Sequence, residues 1–115
     1  MKFVLALCLF FSVAAHAQSD FVPGTEDLPL MEKMVIDENE TISFDTPAGQ
    51  ILNVTAKTPV SSQKVLSFYA NTLPALGWQK KSGNSYKRDR DEIVIQTQSS
   101  KTGTSVLFQV TTPNN

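Results

Sequence analysis

The clearest element of this 115-residue chain is a stretch that repeats its apolar residues at helical spacing, and that limits the folds open to it. Val65, Phe68, Tyr69, Leu73 and Leu76 fall three and four residues apart and form one apolar stripe, widened by Leu66. Ser61 suits the N-cap, and Val60 and Val65 take the spacing of a hydrophobic staple. Gly77 stands where a left-handed residue ends a helix, and Trp78 follows where an indole folds back onto Leu73 or its neighbours. Pro74 should kink the last turn or convert it to a looser one. A helix this short is not stable alone, so its stripe must pack on a sheet.

The flanking segments supply that sheet. Thr41 to Asp45 reads as a strand with Ile42 and Phe44 on one face. Thr46-Pro47-Ala48-Gly49 is a turn, and Gln50 to Lys57 returns with Leu52, Val54 and Ala56 apolar and Asn53 and Thr55 polar. The pair is expected to be a hairpin with an apolar inner and a polar outer face. After the helix, Trp78–Lys81 and Ser85–Arg88 pair across Ser82-Gly83-Asn84. Glu92–Gln98 carries Ile93 and Ile95 inward, and Thr104–Thr112 carries Val106, Phe108 and Val110, with Leu107 pointing away at a covered edge. The expected fold is α+β: an antiparallel sheet of four to six short strands with one helix packed on one face.

Residues 1–17 read as a signal peptide. Lys2 is followed by an apolar run from Phe3 to Ala14, and Ala15-His16-Ala17 has the small-x-small form of a cleavage site. The run is about a dozen residues, short of the ~20 a membrane-spanning helix needs. Leu5-Ala6-Leu7-Cys8 resembles a lipobox, but Leu7 is too large for the position before the cysteine. Cleavage after Ala17 would remove the only cysteine and the only histidine. The remainder would have no Ser-His-Asp or Cys-His catalysis, no His or Cys metal ligand and no disulfide. A small domain without disulfides fits the bacterial periplasm better than a eukaryotic secretion route, where Asn39-Glu40-Thr41 and Asn53-Val54-Thr55 would be glycosylation tripeptides. Lys2 would leave with the leader, and the remaining net charge of −2 is too balanced for a nucleic-acid binder.

Residues 18–40 read as an extended lead-in, broken by Pro23-Gly24 and Pro29. Its Leu28, Leu30, Met31 and Met34 are expected to cover part of the core, the sharper alternative being an exposed patch that docks a partner. A single α+β domain follows over 41–112, and 113–115 is a short exposed end.

No segment carries the residues of a known catalytic motif. Lys87-Arg88-Asp89-Arg90-Asp91-Glu92 is the one dense charge cluster, and it lacks the spacing and glycine of a calcium loop. It reads as a solvated turn whose alternating charges guard a sheet edge. Glu38, Glu40 and Asp45 lie close in sequence, with no aromatic platform to suggest sugar chemistry. Ser61 and Lys64 make a helix start rather than a Ser–Lys pair. Trp78 and Tyr69 are core candidates, and Tyr86 is the aromatic least committed to the core.

The run from Ser61 through Phe68-Tyr69 and Leu73-Pro74 to Leu76-Gly77-Trp78, with Asp45-Thr46-Pro47-Ala48-Gly49 upstream and Tyr86-Lys87 downstream, resembles small, largely uncharacterised periplasmic proteins of Gram-negative, especially alphaproteobacterial, type. The resemblance covers roughly Thr41 to Val110. It implies a fold and a compartment and brings no catalytic residue.

The expected function is a small exported, periplasmic, non-enzymatic binding or envelope accessory module without cofactor or metal. Its partner would be another envelope protein or a small ligand. Tyr86, Arg88, Arg90, Leu30 and Met31 are the candidate partner-binding residues. The alternative is an inhibitor of a secreted hydrolase that presents the Ser82–Ser85 turn to a cleft. An enzyme using only carboxylates is the third and weakest reading.

Overall fold

The computed structural model describes residues 21–25 and 27–114. Residues 1–17, read as a leader, and the expected cleavage residues Ala15 and Ala17 lie outside them. Six strands form one sheet: β1 (Val35–Thr46), β2 (Gly49–Thr58), β3 (Gln79–Ser82), β4 (Ser85–Arg88), β5 (Asp91–Ser100) and β6 (Gly103–Pro113). One helix, α1 (Ser62–Thr72), joins β2 to β3. The strand order is β1-β2-β6-β5-β4-β3, and every neighbouring pair is antiparallel. The α+β expectation holds, with six strands, although β1, β2, β5 and β6 run 10 to 12 residues and are not short.

The helix forms as its local chemistry requires. Ser61 is the N-cap, and its hydroxyl accepts the Lys64 amide at 3.3 Å. Pro74 does not loosen the ending but tightens it into a single 3₁₀ turn, Pro74–Leu76. Gly77 is left-handed with φ 96°, and the Trp78 amide reaches back to the Leu73 carbonyl at 3.1 Å. Val65, Tyr69 and Leu73 are buried on the sheet. Tyr69 meets Phe108 edge-on, with ring centroids 5.3 Å apart.

The inner face of the sheet supplies Val54, Ala56, Tyr86, Ile93, Ile95, Val106 and Phe108 to the core. The lead-in closes it from the side the helix leaves open. Val22, Leu28 and Met34 are buried, and Leu30 and Met31 pack half-buried against them. The chain folds on itself here: Phe21 bridges Pro29, and the Val22 amide donates to the Leu28 carbonyl at 2.8 Å. The Tyr69 hydroxyl donates to the Pro29 carbonyl at 2.7 Å and fixes this strap to the helix. Burial pushes the Tyr69 phenol well above its ordinary range.

Three local expectations need correction. The first strand begins at Val35, inside the segment read as lead-in. Leu107 lies on the outer face of a central strand, opposite Thr55 and Gln96, not at an edge. Residues 113 and 114 are tied to the β1–β2 turn: Pro113 pairs with Gly49, and Asn114, although exposed, donates to the carbonyls of Ala48 and Pro47.

The largest correction concerns β1. Asp37 pairs with Thr55 and Ile42 with Asn53, so three extra residues bulge out of β1 between them. An odd insertion reverses which side chains face the core. Ile42 and Phe44 therefore share a face with Asn53 and Ile51, away from the helix. They are not core residues.

Candidate functional site

The five candidate residues divide. Tyr86 is 2 % exposed and sits in the core; burial raises its phenol pKa. Leu30 and Met31 pack against the core beneath the strap. Arg90 is exposed and donates to the Asn114 carbonyl at 2.8 Å. Arg88 is committed internally. Its guanidinium grips both oxygens of Asp27 at 2.9 and 3.2 Å, donates to the Leu76 carbonyl at 2.9 Å, and lies 4.4 Å above the Trp78 ring. One side chain thus ties strap, helix ending and fourth strand together. The Arg88 hydrogen bond holds the Asp27 carboxyl below its ordinary range, and Asp27 in turn raises Arg88. The Asp89-Arg90 turn joins β4 to β5, with Asp89 left-handed at φ 57°, so the charge cluster is a hairpin turn.

A cleft of about 240 Å³ opens beside this clamp, with Thr25, Asp27, Arg88, Asp91 and Thr112 around its walls. Trp78 lines it, and its indole Nε1 is buried with no hydrogen-bond partner. The charges in the cleft are largely engaged with one another. Nothing in it pairs a nucleophile with a base.

The solvent side of the sheet is different. Val35, Ile42 and Phe44 on β1 are 62 %, 55 % and 42 % exposed. The register places them on the same face as Ile51, Leu107 and Val94, all half-buried. Asn53, directly opposite Ile42, keeps its amide oxygen out of water without a hydrogen-bond partner. No residue of β1 or β3, the two outer strands, is buried. The outer face keeps the expected Asn53 and Thr55 on β2, and beside them Ile42, Phe44 and Ile51 form an apolar cluster where β1 meets β2. No sequence signal marks it: Ile36, Ile42 and Phe44 alternate as one face, and only the pairing with β2 shows the bulge between them.

The Ser82–Ser85 turn closes β3 on β4 through Gly83 and Asn84, both exposed, and a side chain at Gly83 would meet nothing within 4 Å. Among the described residues, no helix is long and apolar enough to cross a membrane. Comparisons with protein families, curated proteins and solved structures found no match.

Proposed function

We propose that this chain is a small exported, periplasmic, non-enzymatic binding or accessory module that docks an envelope protein on the solvent side of β1 and β2. The observation that carries the reading is the exposed pair Ile42 and Phe44, with the half-buried Ile51 directly opposite Phe44 on the same face. Scattered exposed apolar residues are ordinary, but neighbouring ones clustered on one sheet face are the usual mark of a contact surface. The signal-peptide pattern and the resemblance to periplasmic proteins support the compartment. The loss of Cys8 and His16 with the leader supports a chemically quiet module. The inhibitor reading is less favoured, because the exposed Gly83-Asn84 tip offers no large side chain to fill a specificity pocket.

A photo-crosslinking residue placed at 42 or 44 is expected to trap one and the same envelope protein in cells. The same probe at Lys101, exposed on the β5–β6 turn, should trap nothing. An identical crosslink pattern at all three positions, or none at 42 and 44, would overturn the reading.

A further inference from the structure

The two ends of the sheet carry opposite charge. β1 holds Asp37, Glu38, Glu40 and Asp45 and no basic residue. β3 holds Lys80 and Lys81 and no acidic residue. Among the described residues, neither strand has a neighbour on its outer side. Lys57, exposed, sits 3.7 Å from the half-buried Asp37, and Glu92 sits 3.9 Å from Lys81, both long pairs at the surface that solvent weakens. Glu38, Glu40, Asp45 and Lys80 take part in none of the ion pairs found among the described residues.

Strand direction adds an independent condition. Six strands alternating in direction make the first and last of the sheet antiparallel to each other. Moving one copy sideways along the sheet, with the rotation its twist requires, therefore sets its β1 antiparallel to the β3 of the next. The helices stay on the same side of the extended sheet. Lengths also agree: β3 has four residues, and the regular part of β1 beyond its bulge, Ile42 to Thr46, has five, with Asp45 inside it and Glu40 flanking it in the bulge.

The same charges oppose the symmetric alternatives. Two β1 strands side by side would set carboxylates against carboxylates, and two β3 strands would set lysines against lysines. Charged, irregular edges are how sheets avoid joining at random. Here that protection fails for a single combination, β1 against β3.

We propose that the protein associates with further copies of itself head to tail, the acidic β1 edge of one taking the basic β3 edge of the next. The contact is heterologous, so it propagates rather than closing as a dimer. With only four residues on one side it is small and weak, and it belongs with transient interfaces. The inference concerns the ends of the sheet, and it stands apart from the docking of an envelope protein on the outer face.

Sedimentation velocity on the leaderless chain tests it, from micromolar to near-millimolar protein. Wild type should show concentration-dependent association at about 0.02 M salt that falls away at about 0.3 M, where screening is short-ranged. Lys80→Glu with Lys81→Glu should be monomeric, and so should Glu40→Lys with Asp45→Lys. Mixing the two variants should restore association, because each acidic edge again meets a basic one. All four positions are exposed, and far-UV circular dichroism confirms that each variant is folded. Ile42 and Phe44 are untouched, so loss of association with crosslinking retained would separate this contact from the outer-face reading. Wild type that stays monomeric throughout, variants that associate like wild type, or a mixture that stays monomeric would each overturn the proposal.

Discussion

Trp78 gives the sharpest test of how the helix ending supports the domain. The indole is 5 % exposed, lies under the Arg88 guanidinium, and is held by its own backbone amide on the Leu73 carbonyl. Trp78→Ala keeps the backbone bond and removes the ring. The lost burial and the residual cavity cost about 3–5 kcal/mol. The cation–π contact adds about 0.5–1 kcal/mol. No side-chain hydrogen bond is lost, because Nε1 has no partner. The same fact makes Trp78→Phe informative. Phenylalanine gives up the second ring but also discards a buried, unpaired N–H, whose desolvation costs roughly 1–3 kcal/mol. The two changes oppose, and the variant should fall within about 1 kcal/mol of wild type, although lost volume ordinarily destabilises. Urea melts followed by far-UV circular dichroism measure both, since Trp78 is the only tryptophan and its fluorescence disappears with it. A Phe variant about 2 kcal/mol or more below wild type would mean that Nε1 is bonded after all. An Ala variant costing less than about 1 kcal/mol would mean that the ring is not buried.

Asp27→Asn should cost roughly 1 kcal/mol at neutral pH, because the carboxylate is bidentate to Arg88 but 40 % exposed and partly screened. The folded Asp27 has a lowered pKa, so its contribution is present above the ordinary carboxylate value and is lost as pH falls through the lowered one. Stability curves of wild type and variant should therefore converge in acid, and a constant gap would refute the assignment. Tyr69→Phe leaves the Pro29 carbonyl without its donor and should cost about 0.5–1.5 kcal/mol, with faster amide exchange at Val22. Gly103→Ala should be far more damaging than Gly83→Ala in thermal melts. Its Cβ would stand 2.1 Å from the Thr58 carbonyl oxygen, whereas at Gly83 the space is open and only the left-handed backbone is unfavourable, by about 1–2 kcal/mol.

What the sequence made legible is what local chemistry decides. The Ser61 cap, the Val65–Leu73 stripe and the Gly77 ending involve residues within a turn or two of one another, and each lies where the pattern places it. The inward faces of β2, β5 and β6 follow from simple alternation over long regular strands. The β1 face was not legible, because a three-residue bulge depends on pairing with β2 and leaves alternation intact on either side. The Asp27–Arg88 clamp was not legible either: the partners are 61 residues apart, and nothing local distinguishes Arg88 from Arg90. Reversing the charge of Arg88 would therefore break an internal tie before it tested any docking. Tyr86 could have been placed, since it alternates with exposed Lys87 on a strand whose partner residue is the buried Ile93.

The position of β6 constrains how the molecule comes into being. This last strand lies in the middle, and it alone joins the β1–β2 hairpin to the β5–β4–β3 meander. While the ribosome is still adding residues 103–113, the two halves have no ladder between them, and pairings far apart in the chain form slowly. The sheet consequently stays unassembled until residues 103–113 have been added, the state in which a chain can still be threaded through a narrow passage. Without residues 103–113 the β1–β2 hairpin and the β3–β4–β5 meander would share no ladder, and each is too small to bury a core of its own.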